Sequence, residues 1–263
     1  MFIYRFILYR INNHTKINIR YILFYSIIYL FKIIKISQFF ITNSIKDILN
    51  YNFSLKHNSS TSECCLLIKD TATFAYCDQE NITLLFLLNN KSTISLKGHT
   101  QETLYLIELT NKRLGSCSVD CTIKIWNYDN GECINTLEGH NDWVKCLIQL
   151  DENILLSCGD DGIITIWDLE KDIAKKADIE CDKGTGIVES DDENEFISFN
   201  KNGLLIKWNV KTKEKIREID TKLKDIVQLI KMYKETYIMF CENLDIYIIN
   251  LEKEEIIHLY LTY

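Results

Sequence analysis

A chain of 263 residues with 47% hydrophobic side chains is long enough to bury one or two sizeable cores. Its charge is divided: residues 1–60 hold eight Lys or Arg against the single acid Asp47, and the remainder holds 22 basic against 36 acidic side chains. A segment that acidic repels phosphate backbones, which excludes general nucleic-acid binding by residues 61–263. All ten cysteines lie after residue 60 and none forms a Cys-x-x-Cys pair, so a structural zinc centre has no support. Small thiols buried in strands, in a reducing compartment such as the cytoplasm, are the simpler reading.

Residues 1–60 are expected to form an apolar, basic, helical extension. The run YILFYSIIYLF at 21–31 lies between Arg20 and Lys32. As a helix it covers about 16 Å, short of the ~30 Å hydrocarbon core. Extending it to Ile41 brings in Lys32 and Lys35, which are costly near a membrane centre. Membrane association through residues 21–41 is therefore the lesser reading. A helical cap, a poorly ordered extension and a non-native start from gene prediction are its competitors.

From residue 61 onward the chain repeats itself. Trp126, Trp167 and Trp208 are spaced by 41 residues, and one more step reaches Ile249. The local text agrees: IKIWN at 123–127, ITIWD at 164–168, LIKWN at 205–209 and YIIN at 247–250. Gly98-His99 and Gly139-His140 keep the same period, as do Ser116, Ser157 and Ser198, and then Asp120, Asp161, Asn202 and Asn243. Such a period is the mark of a repeat architecture.

Within the period the reading is short strands, near 103–109, 114–117, 122–126 and 133–137 in the repeat that begins at Gly98. Asn130-Gly131, Asp161-Gly162 and Asn202-Gly203 supply the positive φ angles that two-residue hairpins require. Four antiparallel strands per repeat give an all-β chain with one propeller blade in each of 61–97, 98–138, 139–179, 180–220 and 221–263.

On these residues the chain resembles the WD-repeat family, over roughly 61–263. The resemblance is strongest at 98–138 and 139–179, where Gly-His, the turn Asp and the Trp all occur. Only Trp167-Asp168 is the literal pair; Asn127 and Asn209 follow the other two indoles. The repeat at 180–220 lacks Gly-His and has Asn202 for Asp. At 221–263 Ile249 replaces Trp and Met239 replaces Ser, and at 61–97 ITLLF (82–86) stands for the Trp strand. About five repeats against the family's usual seven leave a five-bladed ring, an arc completed by another chain, or an incomplete arc, the last being the expectation.

The resemblance implies a structural hydrogen-bond network of His99, Ser116, Asp120 and Trp126, of His140, Ser157, Asp161 and Trp167, and in part of Ser198, Asn202 and Trp208. A donor count supports it: the indole N–H only donates, a Ser hydroxyl both accepts and donates, and a neutral His links Ser to Asp. The same residues are the ingredients of a hydrolase triad. However, the set occurs twice, and no Gly-x-Ser-x-Gly turn is present, so no catalytic residue is assigned. No phosphate loop or metal-type His pair occurs either, and neither cofactor nor metal is expected.

If the resemblance holds, the loops after Gly-His and before the turn Asp face partners. They carry Thr100, Glu102 and Val119 in one repeat and Asn141, Trp143 and Asp160 in the next. Trp143 is either a binding anchor or packed between blades. The acidic run Glu189, Asp191, Asp192, Glu193 and Glu195 is expected in the connection between the first two strands of its blade, as a solvated loop or a site for a basic partner. The implied function is a non-catalytic scaffold or adaptor for proteins or peptides. The alternatives are a membrane-tethered subunit and a ubiquitin-ligase substrate receptor. Glu170 and Lys211 weaken the last, since they stand where such receptors often carry Arg.

Overall fold

The computed structural model describes residues 64–68, 73–86, 93–170, 177–183, 185–243 and 245–259. The expected extension at 1–60, with its segment 21–41, lies outside the described residues. What is described is all-β, in five four-stranded antiparallel sheets. The first holds β1 (Cys65–Ile68), β2 (Thr73–Asp78), β3 (Asn81–Phe86) and β4 (Thr93–Leu96). The second holds β5 (Thr103–Leu109), β6 (Arg113–Ser118), β7 (Thr122–Asn127) and β8 (Cys133–Glu138). The third follows with β9 (Val144–Gln149), β10 (Ile154–Gly159), β11 (Ile163–Asp168) and β12 (Ala177–Glu180). The fourth has β13 (Gly186–Glu189), β14 (Glu195–Phe199), β15 (Leu204–Asn209) and β16 (Lys215–Asp220). The fifth has β17 (Ile226–Tyr233), β18 (Thr236–Cys241), β19 (Ile246–Asn250) and β20 (Glu255–Leu259).

Each sheet is a meander in chain order, the topology that short polar turns between apolar runs allow. The first strands β1, β5, β9, β13 and β17 pack on one another in sequence, as blades of a propeller do. Among the described residues β17 shows no comparable packing on β1. Middle strands such as β6 and β10 are buried on both faces and read as near-continuous apolar runs, whereas the outer strands β8 and β16 are largely exposed.

The core lies between sheets. Trp126 and Leu114 of the second pack on Ala75, Leu84 and Leu96 of the first. Trp167 and Leu155 of the third pack on Cys117 and Ile123 of the second, and Trp208 and Phe196 of the fourth on Cys158 and Ile164 of the third. The three indoles therefore occupy the third strand of successive sheets, opposite Leu114, Leu155 and Phe196.

The turns differ from the expected hairpin type. Gly131, Gly162 and Gly203 have φ of +78°, +76° and +90°, but Asn130, Asp161 and Asn202 are not in the positive-φ region. Gly162 N–H donates to Gly159 O and Gly203 N–H to Asn200 O, so a turn closes first and a single left-handed residue then re-enters the strand. The corresponding residue of the second sheet is Cys121, at φ +65°. In the first sheet Asp78 pairs directly with Asn81 across a shorter hairpin. That lost residue puts β2 out of phase with the period and explains why the repeat at 61–97 reads so faintly.

Gly203 is the turn residue with the least room: a Cβ there would lie 2.2 Å from the Leu223 carbonyl oxygen. Gly203→Ala is expected to cost about 1–3 kcal/mol through strain, read as a lower urea midpoint. A wild-type midpoint would contradict the turn geometry.

Candidate functional site

The second and third sheets each carry a four-residue hydrogen-bonded chain across the blade. In the second, Trp126 Nε1–H donates to Ser116 Oγ at 2.8 Å, Ser116 lies 2.8 Å from His99 Nε2, and His99 Nδ1 lies 2.8 Å from Asp120 Oδ2. In the third, Trp167 donates to Ser157 at 2.7 Å, Ser157 lies 2.7 Å from His140 Nε2, and His140 Nδ1 lies 2.8 Å from Asp161 Oδ2. An indole can only donate and a carboxylate can only accept. The proton order is therefore fixed, with Ser giving its proton to Nε2 and Nδ1–H pointing at Asp.

Each Asp also organises two loops. Asp120 Oδ2 accepts Thr100 N–H, while Oδ1 accepts the N–H and the hydroxyl of Thr122. Asp161 accepts Asn141 N–H and Ile163 N–H in the same way. Ser116 and Ser157 are wholly buried, and His99 and His140 nearly so. A nucleophile must meet substrate, and these hydroxyls are enclosed by an indole and an imidazole, with the Lys124 carbonyl oxygen also 3.5 Å from Ser116 Oγ. In both blades the Ser–His–Asp set is one part of a longer buried chain that ends on an indole.

In the fourth sheet the chain is cut short. Trp208 Nε1–H still donates to Ser198 Oγ at 2.8 Å, but Cys181 stands one period after His140. Asn202, expected in the network, is exposed; Asn200 does the work instead. Asn200 Oδ1 accepts the N–H groups of Asn202 and Leu204, and its Nδ2 donates to Asp182 Oδ2 at 2.7 Å. Without a histidine to hold, the turn is organised by an amide two residues upstream of the expected position. Burial pushes the Cys181 thiol up to about 11. In the fifth sheet the polar pair is gone altogether, with Met239 and Ile249 buried in one apolar cluster. Replacing both partners by apolar groups leaves no orphaned donor and is nearly neutral.

The rim residues fall where the loops close. Val119 N–H donates to Glu102 O and Asp160 N–H to Trp143 O, both at 2.9 Å, which sets Thr100, Glu102 and Val119 beside Asp120, and Asn141, Trp143 and Asp160 beside Asp161. Thr100 and Asn141 are exposed; Glu102, Val119 and Asp160 are half-buried. Trp143 is 47% exposed. The Lys145 ammonium lies 6.0 Å from its ring centroid and 2.6 Å from Asp160 Oδ2. Burial first, then the charges of Asp142, Asp120 and Asp161, raise the Cys121 thiol.

The acidic run does connect β13 and β14, but part of its charge is already answered. Glu195 pairs with Lys207 at 2.7 Å and Asp191 with Lys231 at 2.9 Å. Among the described residues, no group of three or more His, Cys, Asp or Glu is placed to hold a metal, and no helix is long and apolar enough to cross a membrane.

Burial alone would raise the Asp120 carboxyl, but hydrogen bonds from His99, Thr122 and the Thr100 N–H outweigh it and hold the group well below the ordinary carboxylate range. A folded pKa below the unfolded value, about 3.9, contributes stability that is complete above that pH and is lost as the pH falls through the folded value. Thermal melts from neutral pH downward are expected to drop below about pH 4, and Asp120→Asn is expected to start lower and lose less over the same window. Parallel curves for the two proteins would contradict this.

The family described as WD domain, G-beta repeat, has a model that matches residues 90–127 and 131–168. No curated protein matches the chain at a significant level. The two matched segments end on the strands that carry Trp126 and Trp167, and each of these indoles closes a complete Trp–Ser–His–Asp chain. Residues 90–127 and 131–168 are thus similar to WD repeats.

Proposed function

We propose that this chain is a non-catalytic interaction scaffold that engages a protein or peptide through the rim around Trp143. WD repeats form a rigid fold of the protein–protein interaction kind, and the rest of the reading is ours. The observation that carries it is Trp143 itself, a large aromatic held 47% exposed on a loop whose backbone is fixed to Asp160. Exposed aromatics on rigid loops lose little entropy on binding and dominate interface energetics. Thr100, Glu102, Val119, Asn141 and Asp160 would surround it with polar contacts. Nine free cysteines among the described residues favour a reducing compartment, and the cytoplasm is the proposed location.

Trp143→Ala is expected to leave the melting temperature nearly unchanged, since surface changes lie within about 0.5 kcal/mol, while reducing capture of cellular partners in quantitative cross-linking. Ile216→Ala serves as control, because Ile216 is equally exposed but lies on the outer strand β16. Equal cross-linking profiles for the Trp143 variant and wild type would refute the assignment of this rim.

A further inference from the structure

Where the histidine of the sister blades would sit, the fourth sheet has a cavity. It measures about 300 Å³ and is lined by Cys181, Asp182, Ser198, Asn200 and Trp208, with Glu180 and Lys215 among the residues at its wall. That volume is at the lower end of small-ligand sites, roughly 300–1,000 Å³. Its position follows from the period. Cys181 stands in the place of His140, Ser198 in that of Ser157, and Trp208 in that of Trp167.

Both poles that grip the imidazole in the sister blades are still present. Ser198 is 2% exposed, and its oxygen accepts the Trp208 indole N–H. Among the described residues it has no acceptor for its own proton, whereas Ser116 and Ser157 deliver theirs to an Nε2 at 2.8 and 2.7 Å. At the other pole the sister blades supply a carboxylate to Nδ1–H; here a carboxylate comes from Asp182, whose Oδ2 is held by Asn200 at 2.7 Å. Its Oδ1 has no hydrogen bond among the described residues. Glu180 and Asp182 are exposed, so the cavity opens to solvent between two acids, an entrance that favours a neutral or cationic ring over an anion. Lys215 lies 5.6 Å from the Trp208 ring and covers the aromatic wall.

We propose that this cavity binds an imidazole ring, and that its occupant is a histidine side chain of a partner segment that completes the fourth blade's hydrogen-bond chain from outside. One ring nitrogen would accept the Ser198 hydroxyl proton and the other would donate to Asp182, the ring edge lying against Trp208. The identity of the occupant as part of a partner rests on the scaffold reading; the ring specificity of the cavity does not.

The test uses the full chain with nitrogen-15 in its tryptophans, giving one indole N–H signal each for Trp126, Trp143, Trp167 and Trp208. Titration with imidazole, and separately with N-acetylhistidine amide, is expected to shift the Trp208 signal saturably while Trp126 and Trp167, whose sites already hold a histidine, stay in place. Cys181→His fills the cavity from within and is expected to abolish the shift, with unmoved Trp126 and Trp167 signals reporting that the fold is intact. Should that variant misfold, Ser198→Ala removes the donor and is expected to weaken imidazole binding at least fivefold. No saturable shift at Trp208, or equal shifts at all four indoles, overturns the proposal. Binding of imidazole without binding of the capped histidine overturns the partner-histidine assignment alone and leaves the rim around Trp143 untouched.

Discussion

The architecture depends on one buried contact, the Ser hydroxyl that takes the Trp indole N–H in β7, β11 and β15. A large aromatic buried between two sheets contributes roughly 150–250 Å² of contact, but its N–H costs about 1–3 kcal/mol if left without an acceptor. A serine ten residues earlier in the chain, on the neighbouring strand, supplies that acceptor. The serine is then a donor in need of an acceptor itself, and each solution to that need produces a different blade. Histidine and aspartate solve it in the second and third sheets. In the fourth the chain stops at Ser198, and in the fifth Met239 and Ile249 remove the question.

That gradient also bears on the function proposed for the rim. The Asp at the end of each complete chain is tied to the backbone of the loop after Gly-His, through Thr100 N–H and Asn141 N–H. Rigidity made in the blade interior is thereby exported to the rim, where Trp143 is displayed. A loop held at both ends presents a side chain at low entropic cost, which is what a recognition surface needs. In the fourth sheet the same region is organised by Asn200 and Asp182, and a cavity replaces the histidine.

Much of this was legible in the sequence because the period is carried by residues with few chemical substitutes. Trp, His and Asp at a spacing of 41 named the strands, the network and the rim loops at once. The faint repeat at 61–97 was obscured by a hairpin one residue shorter, which moves the serine-equivalent position of β2 to Tyr76, opposite Thr83 as Ser116 is opposite Lys124. Asn202 was misplaced for a physical reason too. Position alone suggests that Asn follows Asp in role, yet without a histidine nearby a side chain two residues earlier reaches the same turn amides. Trp143 could not be resolved by pattern, since an aromatic three residues after Gly-His suits a blade interface or a rim equally. In the structure its side chain is 47% exposed, on the loop closed by the bond from Asp160 N–H to Trp143 O.

The account is tested most directly by hydrogen exchange at the four indole N–H groups of the intact protein. The network predicts that Trp126 and Trp167, sealed beneath His99 and His140, exchange slowest. Trp208, bonded to Ser198 but bordering an open cavity, should be faster, and the exposed Trp143 fastest of all. Exchange at Trp126 or Trp167 as rapid as at Trp143 would contradict it, since a buried indole bonded to serine has no other route to solvent than the opening of its blade.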